Sequence, residues 1–300
     1  MFYLFAAVLA SIVGGLPAET LAVMRIPVGA LVLGFAAITV SWRYLFPLNR
    51  ISYPTVSLSE ALLGRILRLP LSLIPRETKV RILRGPLQGM RWIKGAGPNA
   101  YWFGTYEVSR IRAFANMVTP GAVAYDVGAN VGIYSLLASL RAGPSGRIYA
   151  FEPLERNVRY LRRHISLNNI QNCAVFAEAV CNEEGTRSFS AAGLDSSMAR
   201  LSSEGELSVP SITLDSCFYG TRRLRPPDII KIDVEGAELE VLEGARRVIA
   251  EFHPAIFAEI HGTQLHAHCR AFLLKEGYHL DEAYGQLIAT SAHKSDSSIP

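Results

Sequence analysis

Apolar residues follow three successive patterns along this chain. Phe2–Ala18 and Ile26–Trp42 are two uncharged runs, and the stretch between them carries only Glu19 and Arg25 as charges. At ~17 residues, each run meets the lower limit for a helix crossing the hydrocarbon of a bilayer. The pair predicts a membrane-anchoring helical hairpin over residues 1–42, with a single anchor or a buried helix pair as the alternatives. Gly14, Gly15, Pro17 and Pro27 weaken either run as an uninterrupted helix. Nothing here reads as a cleavable signal peptide, because no basic residue precedes the first run. The second pattern lies in residues 43–79, where Leu58, Leu62, Leu63, Ile66 and Leu69 recur at helical spacing with Arg65 and Arg68 between them. This segment reads as a basic linker with one amphipathic helix, able to lie on a bilayer or to cap the folded domain.

The third pattern begins near residue 120 and alternates short apolar strands with helices. Strands are predicted at Ala122–Val127, Arg147–Phe151, Cys173–Val180, Asp228–Val234 and Ala255–Ile260. Helices are predicted over Ile133–Leu140, over Glu155–Asn168, after the fourth strand with Leu239, Leu242, Ala245 and Ile249 inward, and after the fifth through about Lys275. Nearly all-apolar strands alternating with helices imply a mostly parallel sheet covered by helices on both faces. In such sheets ligands bind at the carboxyl ends of the strands. The folded domain is placed at 80–285, with 286–300 as a flexible tail. No code is legible in 185–210.

Charge adds a membrane argument. Residues 43–94 hold ten Lys/Arg against Glu60 and Glu77, within a chain of net charge +4. Basic residues beside an apolar segment favour an anionic lipid surface and hold the following domain on the cytoplasmic side. The same stretch lacks the interleaved aromatics of a nucleic-acid site, so no nucleic-acid partner is expected. Cys173, Cys181, Cys217 and Cys269 form no CxxC pair and suit a reducing compartment. His266, His268 and Cys269 sit within one helical turn with no fourth ligand, so no metal is expected.

The chemistry concentrates at predicted strand ends. The first strand runs into Asp126-Val127-Gly128-Ala129-Asn130-Val131-Gly132. Gly128 and Gly132 allow a sharp turn and close ligand approach, and Asn130 stands where positive φ is needed, which Asn tolerates. Glu152 ends the second strand, 20 residues after Gly132. An acid there can accept the hydroxyls of a ribose. That spacing alone fits a nicotinamide-binding domain as well. The turn, however, is not G-x-G-x-x-G, and Asp126 would repel a pyrophosphate while attracting a cationic amino group. These features favour S-adenosylmethionine. The fourth strand ends in Lys231, Asp233 and Glu235, which alternation places on one side. The fifth ends in Glu259 and His261, also on one face.

Taken together, these segments resemble the FkbM-type methyltransferases. The matching pieces are Tyr106-Glu107, the DVGANVG turn, FEP at 151–153, Leu214-Asp215, KIDVEGAE at 231–238 and EIH at 259–261, over roughly residues 99–280. The resemblance implies a seven-stranded class I (Rossmann-like) methyltransferase sheet that methylates a hydroxyl of a sugar, glycan, lipid or small metabolite. It places Glu107 beside Asp126, Gly128, Asn130, Gly132 and Glu152 in the cofactor site. Lys231, Glu235 and Glu259 are then expected at the acceptor, and His261 or Asp233 as the general base, with neutral histidine better matched to pH 7. A nicotinamide-dependent oxidoreductase and a membrane scaffold without catalysis are the rival readings.

Overall fold

The computed structural model describes residues 71, 74–191, 199–201 and 207–291. The apolar runs of 1–42 and the amphipathic helix of 58–69 lie outside the described residues. Among the described residues, no helix is long and apolar enough to cross a membrane. The chain divides into two compact units, Met1–Val80 and Arg81–Pro300. Strand β1 (Lys79–Arg81) sits at their boundary, and every later element belongs to the second unit.

That unit opens with β2 (Arg91–Ile93), α1 (Ala100–Phe103) and α2 (Val108–Met117), then β3 (Val123–Val127), α3 (Ile133–Ala142), β4 (Arg147–Phe151), α4 (Glu155–Leu167) and β5 (Cys173–Phe176). It continues through β6 (Ala179–Val180), β7 (Gly185–Ala191), β8 (Ala199–Leu201), β9 (Leu207–Ile212) and α5 (Leu214–Tyr219). The last part holds β10 (Ile229–Ile232), α6 (Glu238–Glu243), α7 (Arg246–Phe252), β11 (Ala255–Ala258), α8 (Thr263–Lys275), β12 (Tyr278–Ala283) and β13 (Gln286–Ser291).

Seven strands form the central sheet in the order β12-β13-β11-β10-β3-β4-β5. β5, β4, β3, β10 and β11 run parallel, and β13 inserts antiparallel to both β11 and β12. This is the class I methyltransferase arrangement that the resemblance implied. From β3 the chain moves outward through β4 and β5, then returns to place β10 on the other side of β3. The crevice where strand order reverses therefore opens between β3 and β10, at their carboxyl ends. Strand composition follows: every residue of β3 and β10 is buried, as a sheet sandwiched between helices requires.

Three sequence expectations need correction. The flexible tail was placed one strand too early, because Gln286–Ser291 is β13, with Gln286 and Ser291 buried. The strand predicted over Cys173–Val180 is two strands in two sheets, β5 in the central one and β6 in a four-stranded sheet ordered β6-β9-β7-β8. That second sheet occupies most of the illegible 185–210 stretch. The helix predicted across Leu239–Ile249 is two, α6 and α7. Gly244 lies at the break, where an added Cβ would stand 2.1 Å from the Cys181 carbonyl oxygen.

Candidate active site

The turn leaving β3 has the backbone its sequence predicted. Gly128, Asn130 and Gly132 all have positive φ, at 74°, 50° and 101°. The glycines also serve packing. A Cβ on Gly128 would lie 1.9 Å from the Asp233 carbonyl oxygen, and one on Gly132 would lie 2.4 Å from Leu161. The exits of β3 and β10 thus touch through backbone, which only glycine permits. Gly128 and Ala129 both donate their N–H to the Phe151 carbonyl, at 3.0 and 2.9 Å, tying the turn to β4.

Glu152 follows β4 and is 5% exposed. Its Oε2 accepts from the Asn130 N–H at 2.8 Å. Its Oε1 accepts from the Leu154 N–H at 3.0 Å and the Asn157 amide at 3.2 Å. Burial raises its pKa, and the hydrogen bonds from Leu154, Asn130 and Asn157 oppose that shift. A carboxylate offers about four acceptor sites. Three are filled, which leaves one on Oε2, beside the turn. The expected two-hydroxyl grip is thereby reduced to one hydroxyl in this arrangement.

His164, which the sequence did not single out, braces the same turn from behind. It is fully buried in α4 and stacks on Trp92 at 3.7 Å between centroids. Its Nδ1 meets the Val131 carbonyl at 2.8 Å, and its Nε2 accepts from the Ile93 N–H at 3.1 Å. This pair of bonds requires a neutral ring protonated on Nδ1. Burial pushes its pKa down to about 4.

Asp126 and Lys231 were expected to face cofactor and acceptor, and the structure corrects both. Parallel register sets Lys231 of β10 opposite Asp126 of β3. Their side chains are 4% and 0% exposed, with Nζ 3.3 Å from Asp126 Oδ1. Asp126 Oδ2 accepts from the Ser135 hydroxyl at 2.5 Å. Lys231 Nζ donates to the Gly128 carbonyl at 2.9 Å and stands 3.8 Å from Asp233. Burial disfavours the ammonium, but Asp126 and Asp233 outweigh it and the lysine pKa is raised. This buried pair ties the turn to β10.

Asp233, Glu235 and His261 do come together. One donor atom from each lies within 4.8 Å of the others. Glu235 gets there because its φ of 57° turns it off the line of β10, so alternation with Lys231 does not place it. Its carboxylate is 3.6 Å from His261 Nε2. The other imidazole nitrogen, Nδ1, is 2.8 Å from Oε1 of Glu238. That hydrogen bond, helped by the charges of Glu235 and Asp233 and opposed by burial, raises the His261 pKa to about 9. That shift favours the charged ring at neutral pH, against the expectation of a neutral histidine base.

Glu259, expected at the acceptor, is held by an arginine and a glutamine instead. Arg110 Nη1 lies 2.8 and 2.7 Å from its two oxygens, and the buried Gln286 donates to it at 3.2 Å. The same Arg110 nitrogen reaches Glu107 at 3.0 Å. Glu107 precedes α2 with φ 39° and accepts from the Tyr134 hydroxyl at 3.1 Å. Burial raises its pKa, with Arg110 opposing. Arg110, Tyr134 and Glu238 were missed, although Glu238 lies inside the KIDVEGAE segment; no spacing rule connects residues paired across 149 positions.

Residues 126–280 match the family model described as the methyltransferase FkbM domain. The chain belongs to the FkbM methyltransferase family. Its cofactor is S-adenosylmethionine. Two relatives are similar in sequence. The 31-O-demethyl-FK506 methyltransferase FkbM of Streptomyces tacrolimicus is 30% identical over 173 residues, covering 45% of this chain and 66% of that protein. The hexuronic acid methyltransferase AglP of Haloferax volcanii is 26% identical over 156 residues, covering 52% and 62%. The chain thus spans a little under two thirds of the length of these relatives. Among solved structures, a methyltransferase FkbM from Methylobacillus flagellatus superposes with TM-score 0.43 at 16% identity, covering 64% of this chain and 55% of the other.

Proposed function

We propose that this FkbM-family protein methylates a hydroxyl oxygen on a sugar-like acceptor. The carrying observation is the partly exposed trio Asp233, Glu235 and His261, gathered within 4.8 Å at the strand ends beside the β3 turn. One relative's name specifies an oxygen position, 31-O-demethyl-FK506, and the other's a sugar acid, hexuronic acid, which supports an acceptor of this class. Bound S-adenosylmethionine supplies a methyl group already activated for transfer. The protein's part is then alignment and proton removal. The turn 128–132 and Glu152 hold the donor, and Lys231 with Asp126 keeps that turn fixed against β10. Asp233 and Glu235 receive the acceptor's proton, because protonated His261 has no lone pair to offer. His261, held by Glu238, orients the Glu235 carboxylate.

The test is transfer of an isotope-labelled methyl group to a panel of hydroxyl-bearing sugars and uronic acids, followed by mild alkali. A label that survives as an ether supports the reading. A label released as methanol marks a carboxylate ester, and a label on nitrogen marks an amine; either overturns it.

The two uncharged runs of 1–42 and the basic stretch after them support attachment to a membrane with the catalytic domain on the cytoplasmic face. Alkaline extraction of membranes from producing cells tests this. Quantitative release of the full chain into the supernatant contradicts it.

A further inference from the structure

The trio at the strand ends has the composition of a metal centre as well as of a proton acceptor. Ligand atoms bound to one divalent ion at ~2.0–2.2 Å stand about 3 Å apart. His261 Nε2 and Glu235 Oε2 are already 3.6 Å apart, and Asp233 completes a set within 4.8 Å. The side chains are 30%, 20% and 27% exposed for Asp233, Glu235 and His261, so small rotations close the gap and further positions stay open to solvent.

A second observation comes from Glu238. It is fully buried, and its Oε1 is shared by the His261 imidazole at 2.8 Å and the Gly236 N–H at 3.0 Å. Its Oε2 has no hydrogen-bond partner among the described residues. A buried carboxylate with an unsatisfied oxygen is costly unless positive charge lies close by. A carboxylate gripping one ring nitrogen of a histidine aims the other nitrogen's lone pair outward, which is how metal-ligating histidines are held. Here the aimed nitrogen is Nε2, 3.6 Å from Glu235; in the metal-free protein it carries a proton, and an incoming ion displaces that proton to take the lone pair.

We propose that Asp233, Glu235 and His261 bind a divalent transition-metal ion, with Glu238 holding His261 in the ligating orientation. Two carboxylates and one imidazole favour manganese, iron, cobalt or zinc over magnesium or calcium, which take oxygen donors alone. Two carboxylate charges balance a dication. A carboxylate that gives one oxygen to the ion keeps the other for a proton, so the site extends the role given to the trio under methyl transfer. Binding itself does not depend on that role.

The experiment is titration of Mn2+ into the full-length protein, stripped with chelator and free of methyl donor, followed by the electron paramagnetic resonance signal of free Mn2+. One saturable site is expected. Glu238→Gln should weaken it about 10–100-fold, while His261→Ala and Glu235→Gln should abolish saturation and His266→Ala should leave it intact. Thermal melts show which variants fold, and the partly exposed Glu235→Gln stands in if Glu238→Gln does not. Absence of saturable binding in the wild type overturns the site. So does binding that survives His261→Ala, which would mark diffuse attraction to acidic surface. Because no donor or acceptor is present, either failure leaves the methyltransferase reading untouched.

Discussion

Nδ1 of His261 lies 2.8 Å from Oε1 of Glu238, a carboxylate with no solvent exposure. This contact decides the protonation of the only imidazole in the trio. Its pKa stands at about 9 in the folded chain, against ~6.5 for a free histidine. The shift is upward, so its stabilising contribution is fully present below pH ~6.5 and is lost as pH rises through about 9. In chelator-treated protein, the His261 ring resonances should titrate near 9, and Glu238→Gln should bring the midpoint down toward 6.5. A wild-type midpoint near 6.5 would restore histidine as the neutral base.

His164 makes the opposite prediction. Its folded pKa of about 4 lies below ~6.5, so its contribution is present above pH 6.5 and is lost as pH falls toward 4. His164→Phe keeps an aromatic ring against Trp92 but leaves the Ile93 N–H and the Val131 carbonyl without partners. Each orphaned group costs on the order of 1–3 kcal/mol. Urea unfolding at pH 7 should show that loss. Between pH 7 and 4.5 the wild type should lose more stability than the variant; equal losses would mean His164 is protonated in the fold.

The Lys231–Asp126 pair is buried on both sides. Lys231→Met strands Asp126 and should destabilise by ~3–5 kcal/mol. Adding Asp126→Asn to Lys231→Met removes the stranded charge and should recover most of the loss. A single variant as stable as wild type would show that the pair does not brace β3 against β10.

Much of this site was legible because it is local. Asn130 at positive φ, Glu152 at the end of β4 and the strand-turn-helix rhythm each follow from a few consecutive residues. What escaped depends on register between distant strands. Nothing near Lys231 announces that Asp126 sits opposite it on a neighbouring strand, so a buried ion pair read as a ligand contact. Arg110 clamps Glu259 across 149 positions, and His164 reaches back to Ile93 and Val131. Glu235 escaped for a different reason, since alternation holds only while the strand lasts and β10 ends at Ile232. The break at Gly244 was hidden because the helical apolar period runs through it, while the cause is a close approach to the Cys181 carbonyl.

The central claim is that the crevice beside Glu152 holds S-adenosylmethionine, and calorimetric titration of the full chain tests it most directly. Wild type should bind S-adenosylmethionine or its demethylated product at one site. Glu152→Ala, which removes the remaining acceptor position and frees the Asn130 N–H, should weaken that binding by about 1.5–3 kcal/mol, the scale of a hydrogen bond to a charged group. No binding by the folded wild type, or equal affinity in wild type and Glu152→Ala, would contradict the account.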